Sequence, residues 1–320
     1  MKYEEYVENI NKINEELDAL AIKSEYEYVK NLVKALSDKK GLPGGKHKAF
    51  DKSTGTVIPK TASGLADADR EENCAKALKD YNDDNLFSFQ SQVDETIFND
   101  IKKSLGGEAR NLKHPSRVSM YKFDKCNINM LGYKQETASL FDFITYMKGL
   151  EKSATHGSAL EISEQMIHQI IYIHEMLYRA KVKHGDAHLN NYKVIATSLG
   201  PKIKLFDFGK AEVDVTESNR YKDLKYLCSR EAVSGSHETY WRRVKGLWSE
   251  SNKKHFPLHR IIQAHKGKSK YGDYSADIEA AGNTAISALK SNYKTNKNTT
   301  NDAVRDIFAT LSDEIVNILK

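Results

Sequence analysis

Residues 182–211 read VKHGDAHLNNYKVIATSLGPKIKLFDFGKA and hold the densest chemistry in the chain. Asp186 sits in a short loop, Asn191 follows five residues on, and Asp207 comes after an apolar β segment and directly before Phe208-Gly209. Two carboxylates and a carboxamide on neighbouring loops can share hard divalent cations through oxygen ligands, while one carboxylate stays free for the proton of a substrate hydroxyl. That is the equipment for phosphoryl transfer. His184 and His188 flank Asp186 in an HxDxH pattern that also fits a metal-hydrolase cluster. No further His or carboxylate stands at ligand spacing nearby, so His184 is expected to pack beneath the loop instead.

Working outward, residues 163–180 carry Met166, Ile167, Ile170, Ile171, Ile173, Met176 and Leu177, a pattern apolar on most of a helix surface, with Ser163 as the predicted N-cap. Beyond the central stretch, helices are predicted around 219–248, 276–291 and 301–319, with a polar linker, SNYKTNKNTTND, near 291–302. Before it, residues 140–147, 66–81 and 87–105 read as helical, the last with Val93, Ile97, Ile101 and Leu105 at i, i+4 spacing. Residues 117–123 and 127–133 read as strands, and Thr54-Gly55 as a hairpin turn between two more. Residues 3–37 show amphipathic helix spacing through Ile10, Ile13, Leu17 and Leu20. The expectation is an α+β fold with its small antiparallel sheet in the first half and helices dominating the second.

Composition narrows the function classes. At 320 residues the chain is long enough to bury a sizeable core, and its mean hydropathy is −0.63. No stretch approaches the roughly 18 apolar residues that cross a bilayer. The opening MKYEEYVENI lacks the basic-then-apolar order of a secretory signal, so a cytoplasmic protein, or one exported without a conventional signal peptide, is expected. Three cysteines, far apart and never in a CxxC pair, argue against a disulfide framework. The net charge of +5 is too mild to call for nucleic acid. Its distribution is uneven: residues 242–270 hold nine Lys/Arg against Glu250 alone, a surface suited to an acidic partner.

In its motifs the chain resembles the protein kinase superfamily. His184-Gly185-Asp186 with Asn191 matches the catalytic loop HRDxxxxN, and Asp207-Phe208-Gly209 the metal loop DFG. AFDKSTGTVIPK is similar to the β2–β3 hairpin that ends in VAIK, which makes Lys60 the candidate for the lysine gripping the α and β phosphates. Gly41 and Gly44 fall on the second and third glycines of the phosphate-covering loop, with Lys39 on the first. HPSRVSMY resembles the opening of strand β4, residues 129–134 the hinge, with Gly132, Tyr133 and Lys134 at the nucleotide, and residues 162–186 the long helix feeding the catalytic loop.

The resemblance implies ATP and Mg²⁺ as cofactors, Asp186 as the base, and Asn191 and Asp207 as metal ligands. It also requires a helix αC acid to hold Lys60. Chain order favours Glu95; Asp94 fits the family's apolar spacing better; Glu71 lies on the earlier helix. Asp223, in RYKDLKYL, is similar to the aspartate that braces the catalytic loop. Thirteen residues separate Gly209 from Asp223, and there is no APE motif, a truncation similar to compact bacterial effector kinases. The family fold implies an N-terminal helical extension over 1–37, an N-lobe over 38–134 and a C-lobe over 135–320. The implied activity is phosphorylation of a Ser/Thr hydroxyl on a protein, in an effector case a host protein. Histidine at 188, where Ser/Thr kinases usually carry lysine, is also similar to aminoglycoside-type phosphotransferases. A pseudokinase scaffold is the third alternative.

Overall fold

The computed structural model describes residues 2–7, 10, 57–61, 65–92, 118–122, 137–140, 143–144, 156–197, 200–228, 257–266, 271–296 and 301–320. The fold is α+β. In chain order the labelled elements are β1 (Val57–Thr61), α1 (Leu65–Ala77), β2 (Gln90–Gln92), β3 (Val118–Lys122), β4 (Thr137–Ser139), α2 (His156–Arg179), β5 (Tyr192–Thr197) and β6 (Gly200–Leu205). Four helices follow: α3 (Glu217–Cys228), α4 (Pro257–Lys266), α5 (Tyr271–Asn296) and α6 (Asn301–Leu319).

Helix α2 is the axis of the core. Its Ile162, Met166, Ile167, Ile170, Ile171, Ile173, Met176 and Leu177 are all buried, each adding about 1.5–3 kcal/mol of gross transfer energy. A helix buried all round must also satisfy its polar residues, and three of them bond directly to neighbouring elements. His168 Nδ1 lies 2.8 Å from Ser312 Oγ on α6, and His174 Nε2 lies 2.7 Å from the Tyr192 hydroxyl. Gln169 Oε1 accepts from Ile203 N at 2.7 Å while its amide donates to Pro201 O, so one side chain seals the open edge of β6.

There are two three-stranded antiparallel sheets, ordered β1-β3-β2 and β4-β5-β6, and the second packs on this axis through β6. Pro59 pairs with Met120 inside β1, the outer strand of its described sheet, where a missing N–H disturbs the ladder least. Residues 86–88 stitch the first sheet to the second: Leu205 N donates to Leu86 O and Ser88 N to Leu205 O, both at 2.9 Å.

The first residues dock on α2. Residues 3–7 are helical, and Tyr3 and Tyr6 are fully buried against His168 and Tyr172. The Tyr3 hydroxyl donates to Glu175 Oε2 at 2.6 Å, and Arg179 Nη1 donates to the other oxygen at 3.1 Å. Tyr3 N reaches Asp313 Oδ1 of α6 at 3.4 Å. Burial pushes the Glu175 carboxyl up even though both partners and Arg305 pull it down.

Three sequence expectations are corrected. Residues 87–92, read as the start of a helix, are extended and enter β2, because Phe87 and Phe89 alternate onto one aromatic cluster with Phe208. Ser163 is not an N-cap: α2 begins at His156, and Ala159 and Ile162 already face the core. The polar run 291–296 is not linker but the last turns of α5, its side chains exposed or half-buried where described. The strand reading of 127–133 and the turn at Thr54-Gly55 lie outside the described residues.

Candidate active site

The loop from Val182 to His188 leaves α2 and is pinned from three sides. Lys183 and Glu212 exchange backbone hydrogen bonds of 2.9 and 2.8 Å, and Val215 N donates to Lys181 O at 3.1 Å. From beneath, the buried Asp223 carboxylate of α3 accepts both His184 N and Gly185 N, the latter at 3.1 Å. An ionised acceptor on two adjacent amides fixes the backbone one residue before Asp186. The bracing contact expected of Asp223 is therefore present.

His184 is fully buried and uses both ring nitrogens: Nδ1 accepts from Asp186 N at 3.3 Å and Nε2 donates to Phe206 O at 3.1 Å. That arrangement needs the neutral ring. Burial lowers its pKa against the opposing pull of Asp223, Asp186 and Asp207, so all three carboxylates lie within electrostatic reach of this imidazole. Its ring stands edge-on to Phe208, centroids 4.7 Å apart, and Phe89 and Phe87 extend the stack at 5.0 and 6.0 Å from Phe208. The expectation that His184 packs beneath the loop is met.

Asn191 ends the short turn Leu189–Asn191. Its Nδ2 donates to Asp186 O at 2.9 Å, and its own carbonyl accepts Phe206 N at 3.0 Å. With the amide NH₂ committed, Oδ1 is the side chain's acceptor. Asp207, which precedes the turn Phe208–Lys210, lies in the left-handed region, φ 68° and ψ 64°, an uncommon conformation for a residue other than glycine and one that concentrates at functional turns. Two oxygen donors on adjacent loops suit Mg²⁺, which takes one or two carboxylate-type ligands and completes its shell from phosphate and water. Among the described residues, no group of three His, Cys, Asp or Glu side chains is arranged to hold a metal ion by itself.

Asp186 is half-buried, and its Oδ2 lies 2.8 Å from Lys210 Nζ and 4.0 Å from His188 Nε2. Gly185 allows the tight approach of the two loops: its φ is +74°, and a Cβ there would lie 3.0 Å from Lys210 O. Arg70 Nη1 of α1 reaches Gly209 O at 3.4 Å, and α1 packs along the turn Phe208–Lys210.

Of the other sequence candidates, Lys60 lies on β1 opposite Ser119. Glu71, the third choice for the αC acid, is buried on α1, the helix that packs on Phe208–Lys210. Glu95, Asp94, Gly41, Gly44, Gly132, Tyr133 and Lys134 lie outside the described residues, as do residues 242–256 and 267–270 of the basic segment. Sequence reasoning missed Lys210, Phe87 and Phe89; the period-two spacing of the phenylalanines was the available signal. A scan against protein-family models finds no match to the chain, and a search of curated proteins finds none either. Among the described residues, no helix is long and apolar enough to cross a membrane.

Proposed function

We propose that the chain is a two-lobed kinase that moves the γ-phosphoryl group of ATP to a serine or threonine hydroxyl of a protein, with Mg²⁺ as cofactor. The observation that carries this reading is the single unit built by Asp223 and Phe208: one grips the amides before Asp186 and the other stands edge-on to His184, which ties the segments carrying Asp186 and Asp207 together. The strand order β1-β3-β2, with α1 between β1 and β2 in sequence and packed on residues 208–210, supports a small lobe coupled to these loops.

Asp186 accepts the hydroxyl proton as the new oxygen–phosphorus bond forms and the bond to ADP breaks, ADP leaving with the electron pair. Asn191 Oδ1 and the Asp207 carboxylate are the groups that hold Mg²⁺, which when bound neutralises charge on the phosphates. Lys60 adds positive charge at the α and β phosphates. Glu71 rather than Glu95 holds that lysine, because a buried acid on the helix that touches 208–210 couples the sheet to the metal turn. Gly41, Gly44 and residues 132–134 line the nucleotide. The basic segment 242–270 docks an acidic partner, and in the effector form of the proposal the substrate is a host protein.

The test offers labelled ATP with Mg²⁺ to cell lysate and to a panel of aminoglycosides, comparing wild type with Asp186→Ala and Asp207→Ala. Label on a protein band that disappears in both variants supports the proposal. Label on a small molecule moves the assignment to small-molecule phosphotransferases, and nucleotide binding without transfer moves it to a scaffold.

A further inference from the structure

Lys210 directly follows the Phe208-Gly209 pair, and its ammonium group is 2.8 Å from Asp186 Oδ2. The nearby histidine does not compete for this contact. His188 Nδ1 accepts from Asn190 N at 3.2 Å, which leaves the proton of a neutral ring on Nε2, 4.0 Å from the carboxylate and beyond hydrogen-bond range. Lys210 is thus a direct cationic partner of the candidate base, although the resemblance leads one to expect a lysine at position 188. The backbone accommodates the substitution of roles: glycine at 185 lets the 208–211 segment lie close enough for the side chain to reach.

Stability does not account for the pair. The Lys210 side chain is 63% exposed against 15% for Asp186, and a pair with so exposed a partner stabilises a fold by about 0–1 kcal/mol. Its consequence lies in geometry. A half-buried carboxylate with one oxygen fixed by an ammonium group presents the other in a defined direction, and a misplacement of about 1 Å in such a group costs on the order of a hundredfold in rate. We propose that Lys210 is a positioning residue that orients the Asp186 carboxylate for proton transfer, supplying from the metal turn the cation that the loop carrying His188 lacks. The inference rests on the kinase reading of Asp186.

The decisive comparison uses the full chain as wild type, Lys210→Met, Lys210→Arg and Asp186→Ala in the labelled-ATP assay. Lys210→Met is expected to lower kcat by about 10- to 100-fold with KM for ATP within about twofold and an unchanged melting temperature, and Lys210→Arg to recover most of the loss. An unchanged or raised kcat in Lys210→Met, or an equal fall in both lysine variants, overturns it. If wild type is active and Asp186→Ala is not, that overturning leaves the kinase reading standing; if wild type transfers nothing, both fall. A second readout needs no nucleotide. A water-soluble carbodiimide activates the Asp186 carboxyl, Lys210 Nζ attacks its carbonyl carbon, an amide forms, and the reagent leaves as its urea with one carboxylate oxygen. Mass spectrometry should find the 186–210 cross-link in wild type and not in Lys210→Arg; its absence from wild type also overturns the proposal.

Discussion

Replacing Asp223 with alanine should release the loop that carries Asp186 without touching a single group proposed to meet substrate. The carboxylate is buried and accepts two backbone amides, His184 N and Gly185 N. Hydrogen bonds to a charged acceptor contribute about 1.5–3 kcal/mol each, and alanine leaves both donors without their partner, so the loss should be about 3–5 kcal/mol. In a chain of this length that lowers the melting temperature by about 4–8 °C. Asp223→Asn keeps one acceptor oxygen but turns an NH₂ toward the second donor, and should lose about half as much. Amide hydrogen exchange gives the local readout: protection at 184 and 185 should fall in the alanine variant before global unfolding. A melting temperature within about 1 °C of wild type, with exchange at those two amides unchanged, would refute the brace.

The remaining expectations are quicker to state. Burial lowers His174 to about pKa 4 against the raising effect of Asp223, so below pH 6.5 the unfolded chain takes up a proton the folded protein refuses. Stability should therefore fall from pH 6.5 to 4 by up to about 3 kcal/mol, His184 adding in the same direction. Urea midpoints against pH should show a shallower slope for His174→Gln; identical slopes would refute the assignment. Gly282→Ala on α5 would set a Cβ 2.4 Å from Cys228 Cβ on α3. Alanine gains about 1 kcal/mol of helix propensity, but the overlap costs about 1–3, so a lower denaturation midpoint is expected. Finally, Glu71→Gln should lower the transfer rate more than Glu95→Gln does; the opposite order in steady-state assays would return the αC role to Glu95.

How much of this was legible depends on whether local chemistry or distant packing decides each element. Residues 182–211 were readable because their strands, turn residues and titratable groups all lie within a few positions of one another. His184 could be assigned to the interior from the lack of ligands around it. The extended run 87–92 leading into β2 was not readable from helix periodicity, since Val93 to Leu105 supplied a stronger pattern just downstream and the partner of Phe87 and Phe89 is Phe208, over a hundred residues away. Ser163 has the chemistry of a cap but sits inside a longer helix, because tertiary burial of Ala159 and Ile162 outweighs a local preference. The acidic–aromatic alternation of the opening residues hid two buried tyrosines, whose pockets are formed by α2 and α6. Lys210 had no signature at all beyond its neighbours, since only the folded loop brings it to Asp186.

The seat of Tyr3 has a consequence for biosynthesis. Its backbone amide bonds to Asp313, 310 positions later, so the nascent segment has no complete berth until α6 has left the ribosome. The flank of α2 around His168 and Tyr172 is itself made about 140 residues before Asp313, so at about 5–20 residues per second it waits on the order of 7–30 s for α6.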